Sequence, residues 1–284
     1  MKLQTPVEIF PYSDRIICSD RMMMLGSCFA TELSSRLADR GFDVCCNPFG
    51  VLYNPASIAT SLRLLDSPQY FTYDDVICSQ GMYTSFFHHS SFSRTSPEEF
   101  LENANSSLCK AAESFRESDT IVVTLGTAWV FRHIERGIIV SNCHKIHPGE
   151  FKRERLSVAQ VVQLLSAEIE QNPRKRWIFT VSPIRHLKDT AHGNQLSKST
   201  LLLATEILQQ RFSNVDYFPS YEIMMDELRD YRFYCENMIH PTPQAVDYIF
   251  EKFVESAIDP AERPKMDEAL RKLKASRHIP LSER

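Results

Sequence analysis

Short, unbroken apolar runs recur along this chain, each followed by a stretch whose apolar residues fall at helical spacing. Met22 to Leu25 precedes a pattern through Phe29, Leu33 and Leu37 that stops at Gly41. "FDVCC" from Phe42, "TIVVTLG" from Thr120, "WIFTVSP" from Trp177 and "VDYFPS" from Val215 read as further strands. "SVAQVVQLLSAEIEQN", "SKSTLLLATEILQQRF" and "PQAVDYIFEKFVESAI" each carry one apolar helical face. Continuous apolar strands are buried on both sides, so the pattern predicts an α/β, three-layer domain: a central parallel sheet with helices on both faces.

Two stretches depart from this rhythm. Ser67 to Phe100 is polar and aromatic without a clear period, and reads as an inserted hairpin or a lid over the strand ends. Trp129 to Ile146 reads as a second excursion, a hairpin about Arg136-Gly137. One domain is expected over 1–259, with the insertion at about 67–100. A charged, amphipathic helical tail over 260–284 presents Met266, Leu270 and Leu273. That tail is expected to dock on the domain or to meet a second copy of the chain.

A net charge of −4 over 284 residues offers no general attraction to nucleic acid. No run is long and apolar enough to span a bilayer. The opening "MKLQTPVEIFPYSDRI" lacks the apolar core of a secretory signal, so a cytoplasmic protein without nucleic-acid or membrane partners is expected. The eight cysteines are scattered and include no Cys-x-x-Cys pair, which argues against a disulfide framework and a structural zinc site. No Gly-x-Gly-x-x-Gly or phosphate-cradling lysine loop is present, and no cofactor is expected.

In open parallel sheets, ligands bind in the loops after the strands' carboxyl ends. Four such loops hold polar residues here: Gly26-Ser27-Cys28, Asn47 to Gly50, Gly126-Thr127 and Ser182 to His186. The first is the most suggestive, because it sets a hydroxyl and a thiol at the start of a helix. Ser27 is a natural N-cap and Cys28 a natural small core residue. Alternatively, one of them is a nucleophile.

These residues belong to a wider pattern. "LGSCFA", "NPFGVLYNP", "HHSSFS", "TLGTAWVF", "NCHK", "VSPIRHLKD", "SKSTLLLA" and "SYEIMMDELRDYRFYCENMIHPTPQAVDYI" resemble the GSCFA family from Leu25 to Phe253. That family looks like a branch of the SGNH, or GDSL-like, hydrolases. The resemblance implies a flavodoxin-like sheet and ester hydrolysis or O-acyl transfer on a small-molecule or carbohydrate ester. The nucleophile of such enzymes is third in a Gly-Asp-Ser turn, a place occupied here by Cys28. Their second block supplies a glycine N–H, matched by Gly50. Their third, Gly-x-Asn-Asp, reads Gly126-Thr127-Ala128-Trp129 and lacks the oxyanion-binding asparagine. Their last, Asp-x-x-His, reads Asn237-Met238-Ile239-His240.

Acyl transfer needs a nucleophile, a base and donors for the oxyanion. Unpaired N–H groups and the helix dipole favour an anionic sulfur at Cys28, with His240 as base. An amide in place of the acidic orienter costs a serine enzyme about 10⁴-fold, whereas Cys-His-Asn is an established arrangement. Asn237 therefore suits Cys28 better than Ser27, unless Glu236 serves as the acid. Gly50, Thr127 and Asn47 are the expected oxyanion donors. Arg185, His186, His89 and His144 are the expected substrate contacts, with no metal among them. The rival reading is a non-catalytic domain that binds an acylated or carbohydrate ligand in a degenerate cleft.

Overall fold

A computed structural model describes residues 5–277. In chain order its elements are β1 (Arg21–Gly26), α1 (Cys28–Ala38), β2 (Asp43–Cys46), α2 (Pro55–Asp66), the hairpin β3 (Ile77–Ser79) and β4 (Met82–Thr84), α3 (Pro97–Glu117) and β5 (Thr120–Leu125). There follow β6 (Trp129–His133), β7 (Ile139–Val140), β8 (Phe151–Arg155), α4 (Val158–Gln171), β9 (Arg176–Val181), α5 (Thr190–Arg211) and β10 (Val215–Phe218). The single turn α6 (Ser220–Glu222), then α7 (Pro243–Ala257) and α8 (Arg263–Ser276), complete the chain.

Local chemistry sets several helix starts. Asn54, Ser96, Ser157 and Thr242 each accept a backbone N–H at the head of α2, α3, α4 and α7. Proline occupies the first turn of α2, α3 and α7, where its missing N–H costs nothing.

Five strands form one sheet in the order β10-β9-β5-β1-β2, every pairing parallel. This is the flavodoxin-like order, and it confirms the α/β architecture expected from the apolar runs. Alternate side chains of β1 go to opposite faces. Met23 and Leu25 join α2, α3, α4 and α5 on one side. Met22 and Met24 join α1 and α7 on the other. The helices α2 and α3 cover the first face, although the apolar runs alone do not single them out.

Both irregular stretches contain the hairpins expected of them. In the first, β3 and β4 turn through Gln80-Gly81, both with positive φ, the backbone of a tight hairpin turn. The second is larger than expected, because β8 adds to β6 and β7 to make a three-stranded antiparallel sheet. The described part of the tail docks on the domain: Met266 is buried with the α1 and α7 side chains. Arg263 pairs with Glu251 at 2.6 Å and Arg277 with Asp39 at 3.3 Å. Residues 278–284 of the expected tail lie outside the described residues.

The strand order reverses between β1 and β5, and the chain is tightest there. Gly26 has φ +132°, and a Cβ at this position would sit 2.1 Å from the Thr124 carbonyl oxygen. Neither backbone can yield without breaking the parallel pairing. Gly26→Ala should therefore destabilise the protein by about 3 kcal/mol or more, read as a lowered urea midpoint with unchanged slope.

Candidate active site

The β1–α1 turn is built on Thr124 of the neighbouring strand. The Ser27 N–H donates to both the Thr124 carbonyl (3.1 Å) and its Oγ1 (3.0 Å). Ser27 Oγ is 3.2 Å from Thr124 Oγ1 and accepts from the Phe29 N–H at 3.3 Å, capping α1. Only 1 % of Ser27 is exposed. Its hydroxyl is thus engaged beneath the sheet end. Cys28, one residue on, opens the helix and is partly exposed. Its Sγ lies 3.7 Å from the Tyr53 hydroxyl, within hydrogen-bond range for sulfur.

Tyr53 joins this turn to a cleft of about 760 Å³ at the carboxyl end of the sheet. Its walls include Tyr53, Asn54, Thr127, Trp129, Arg185, His186 and His240, with Phe131, Val140 and Arg153 from the antiparallel sheet. None of the lining residues comes from 67–100. The Tyr53 and His186 rings meet edge to face at 6.1 Å. The Tyr53 carbonyl accepts from the N–H groups of Gly126 (2.8 Å) and Thr127 (2.9 Å), which ties the β2 and β5 loops together. Burial and the adjacent Cys28 sulfur push the Tyr53 hydroxyl above the usual phenol range, so it stays protonated. Tyr53 was legible only as part of "NPFGVLYNP", and nothing local marked it as central.

His240 stands in a loop held by several contacts. The Cys235 N–H donates to the His240 carbonyl at 2.8 Å, and the Thr242 N–H to Phe233 at 2.8 Å. Asn237 Oδ1 accepts from the N–H groups of Ile239 (2.9 Å) and His240 (3.1 Å). Its Nδ2 lies 3.0 Å from His240 Nδ1.

The other expected residues divide clearly. Thr127 lines the cleft, but its Oγ1 accepts from the Trp129 N–H at 3.1 Å and is shared with Ser197 Oγ at 3.0 Å. The Gly50 N–H is spent on the Asn47 carbonyl at 2.7 Å. Asn47 staples the turn: its Oδ1 accepts from Gly26 N–H at 2.8 Å and its Nδ2 donates to Thr31 at 3.1 Å. Gly50, with φ +80°, leaves room for His89, whose Cβ a side chain would meet at 2.3 Å. His89 Nδ1 accepts from the Ser91 N–H at 3.2 Å, as a cap. His144 Nε2 meets the Ser85 carbonyl at 2.8 Å in a buried position. Neither His89 nor His144 lines the cleft. Among the described residues, no group of three His, Cys, Asp or Glu side chains is arranged to hold a metal ion.

Burial lowers the proton affinity of two basic groups in this region. Lys198 is fully buried and donates to the carbonyls of Gly126 (2.8 Å) and Ser182 (2.7 Å), clamping the ends of β5 and β9. Burial pushes its ammonium down to about 7. Burial, followed by the nearby Lys198 charge, pushes His186 down to about 4. Its ring, near the Gly126 backbone, has Nε2 buried at the edge of the cleft. A lysine inside an apolar helix face, in "SKSTLLLA", was the available signal for Lys198.

His88 supplies a clean test of these burial effects, away from the cleft. It is enclosed by Phe49, Phe71, Phe92 and Phe100 and pushed down to about 3, by burial first and His144 second. Below pH 6.5 the unfolded chain takes up a proton that folded His88 refuses, so stability falls as pH falls. Between pH 6 and 4, wild type should lose about 1.4 kcal/mol per pH unit more than His88→Phe, measured by urea unfolding at each pH.

Among solved structures, the chain is similar to a carbohydrate esterase family 2 enzyme with a carbohydrate-binding domain from Corynascus thermopiles (Myceliophthora fergusii). Identity is 12 % and the TM-score 0.41, over 93 % of this chain and 69 % of that one. It is also similar to an acetyl xylan esterase, Est2A, from the rumen bacterium Butyrivibrio proteoclasticus. Identity there is 11 % and the TM-score 0.35, over 92 % of this chain and 66 % of that one. No curated protein matches it. The model of one family covers residues 21–253, which include the β1–α1 turn, Tyr53 and the Asn237–His240 loop: the chain belongs to the GSCFA family.

Proposed function

We propose that the protein transfers or hydrolyses acyl groups, with Cys28 as the nucleophile and the Tyr53–His240 cleft as the seat of the acyl ester. One observation carries the reading. The Cys28 sulfur opens α1, where the helix favours negative charge, and it contacts the hydroxyl of a tyrosine that lines the same cleft as His240. Ser27 is a poorer candidate, since its Oγ is buried and serves as the cap.

The environment suits an uncharged or weakly anionic substrate. Trp129, Phe131 and Val140 give an apolar wall, and Arg153 lies over the Trp129 ring at 4.2 Å while pairing with Asp189. Arg185 also lines the cleft, donating to the Met238 carbonyl at 3.3 Å. Tyr53 stays protonated, so its hydroxyl can donate to the sulfur or to an oxygen that becomes negative during attack.

A second reading has its own support. Gly50 N–H and Asn47 are already engaged, which leaves the expected oxyanion site thinly furnished and favours a domain that binds the ligand without turning it over. A p-nitrophenyl ester screen separates the two. Cys28→Ala should abolish nitrophenolate release while leaving the unfolding transition unchanged. Ser27→Ala should retain release and lose about 1 kcal/mol of stability from the missing cap. Release that survives Cys28→Ala but not Ser27→Ala would assign the reaction to the serine. No release from any ester, with ligand-induced stabilisation, would establish the binding domain.

A further inference from the structure

The orientation of one amide specifies what His240 can do, if Cys28 is the acyl carrier proposed above. Asn237 Oδ1 is occupied by two backbone N–H groups, from Ile239 at 2.9 Å and His240 at 3.1 Å. The nitrogen end of the amide is therefore the end that meets His240 Nδ1, at 3.0 Å. Turning the amide over would set its NH₂ against those two donors. Two backbone hydrogen bonds hold the loop in this register. It is closed by Cys235 N–H to the His240 carbonyl and Met238 N–H to the Cys235 carbonyl, both 2.8 Å, with Met238 at φ +56°.

An amide nitrogen only donates, so His240 Nδ1 must present its lone pair. A neutral imidazole then carries its proton on Nε2. A carboxylate in the place of Asn237 would do the reverse: it would accept from Nδ1–H and leave Nε2 free to take a proton. We infer that Asn237 holds His240 as the Nε2–H tautomer, which makes the imidazole a neutral hydrogen-bond donor to the acyl carbonyl rather than a base. Asn237 is thus a positioning residue.

The consequence falls on the second half of the reaction. In the first half, the Cys28 sulfur, its proton lost to solvent, bonds to the carbonyl carbon. Electrons move to the carbonyl oxygen, which His240 Nε2–H meets, and return as the bond to the leaving group breaks. A phenolate or thiolate departs as an anion and needs no proton. In the second half, attacking water must give up a proton, and Nε2 has no lone pair to receive it. His186, held near 4, is a weak acceptor, and the Asp189 carboxylate that lines the cleft is engaged by Arg153. The acyl–Cys28 thioester therefore accumulates. Acyl donors with leaving groups that depart unprotonated, such as thioesters and aryl esters, are the substrates this site accepts.

The experiment uses the full chain, ¹⁵N-labelled, and p-nitrophenyl acetate. Long-range ¹H–¹⁵N spectra, with His240 assigned by signal loss in His240→Gln, should show Nε2 protonated in wild type and Nδ1 protonated in Asn237→Asp. Wild type should release about one equivalent of nitrophenolate in a burst, with one acetyl group on Cys28 by mass spectrometry. Asn237→Asp should raise the steady-state rate by about 10²-fold or more as deacylation regains a base. Nδ1 protonation in wild type, or an unchanged steady state in Asn237→Asp, would overturn the inference. An Nε2–H signal without any acetyl-Cys28 would support the tautomer and overturn the nucleophile instead, so the two failures are distinct.

Discussion

The junction between β1 and β5 supports everything around it. The Ser27 N–H is divided between the carbonyl and the hydroxyl of Thr124, and Gly26 admits this approach because it has no side chain. Two parallel strands thereby end at the same level, at the point where the sheet order reverses. The helix α1 starts there, with Ser27 as its cap and the partly exposed Cys28 as its first residue.

Burial in the same region works against charge on three groups. Lys198 caps two strand ends from inside the protein, where its two carbonyl partners compensate only part of the lost hydration. His186 faces that lysine and is kept neutral. Tyr53 is kept protonated. The cleft thus sets the protonated Tyr53 hydroxyl beside the charged side chains of Arg153, Arg185, Lys188 and Asp189. The Asn237 amide nitrogen meets His240 Nδ1 at its rim.

Much of the architecture was legible because burial on both faces leaves a plain trace. Runs such as "TIVVTL" and "WIFTV" are apolar apart from threonines and carry no charge, and the strands they form are buried throughout. The helix α3 leaves a weaker trace. Its "ENANSSLCKAAES" interior is largely polar, and Phe100, Ala104, Leu108, Ala111, Ala112 and Phe115 are its buried residues. The strand β8 left almost none: "FKRER" is charged and half-exposed, and it pairs because β6 offers an edge. At the site, Gly26, Ser27 and Cys28 could be singled out as a turn opening a helix. Asn47 and Gly50 could be named as loop residues, yet nothing local says that their donors face one another rather than a ligand.

Helix and strand identity, the parallel sheet and the turn at its first carboxyl end follow from the spacing of apolar side chains and from Gly26. These are short-range consequences of backbone geometry and of the cost of burying polar groups. Which atom of each polar side chain is spent and which is left over depends on partners far away in the chain. Thr124 claims Ser27, Tyr53 meets Cys28, and two backbone amides orient Asn237. Hydrogen-bond capacity is finite and directional, so it is allotted only once the loops stand side by side.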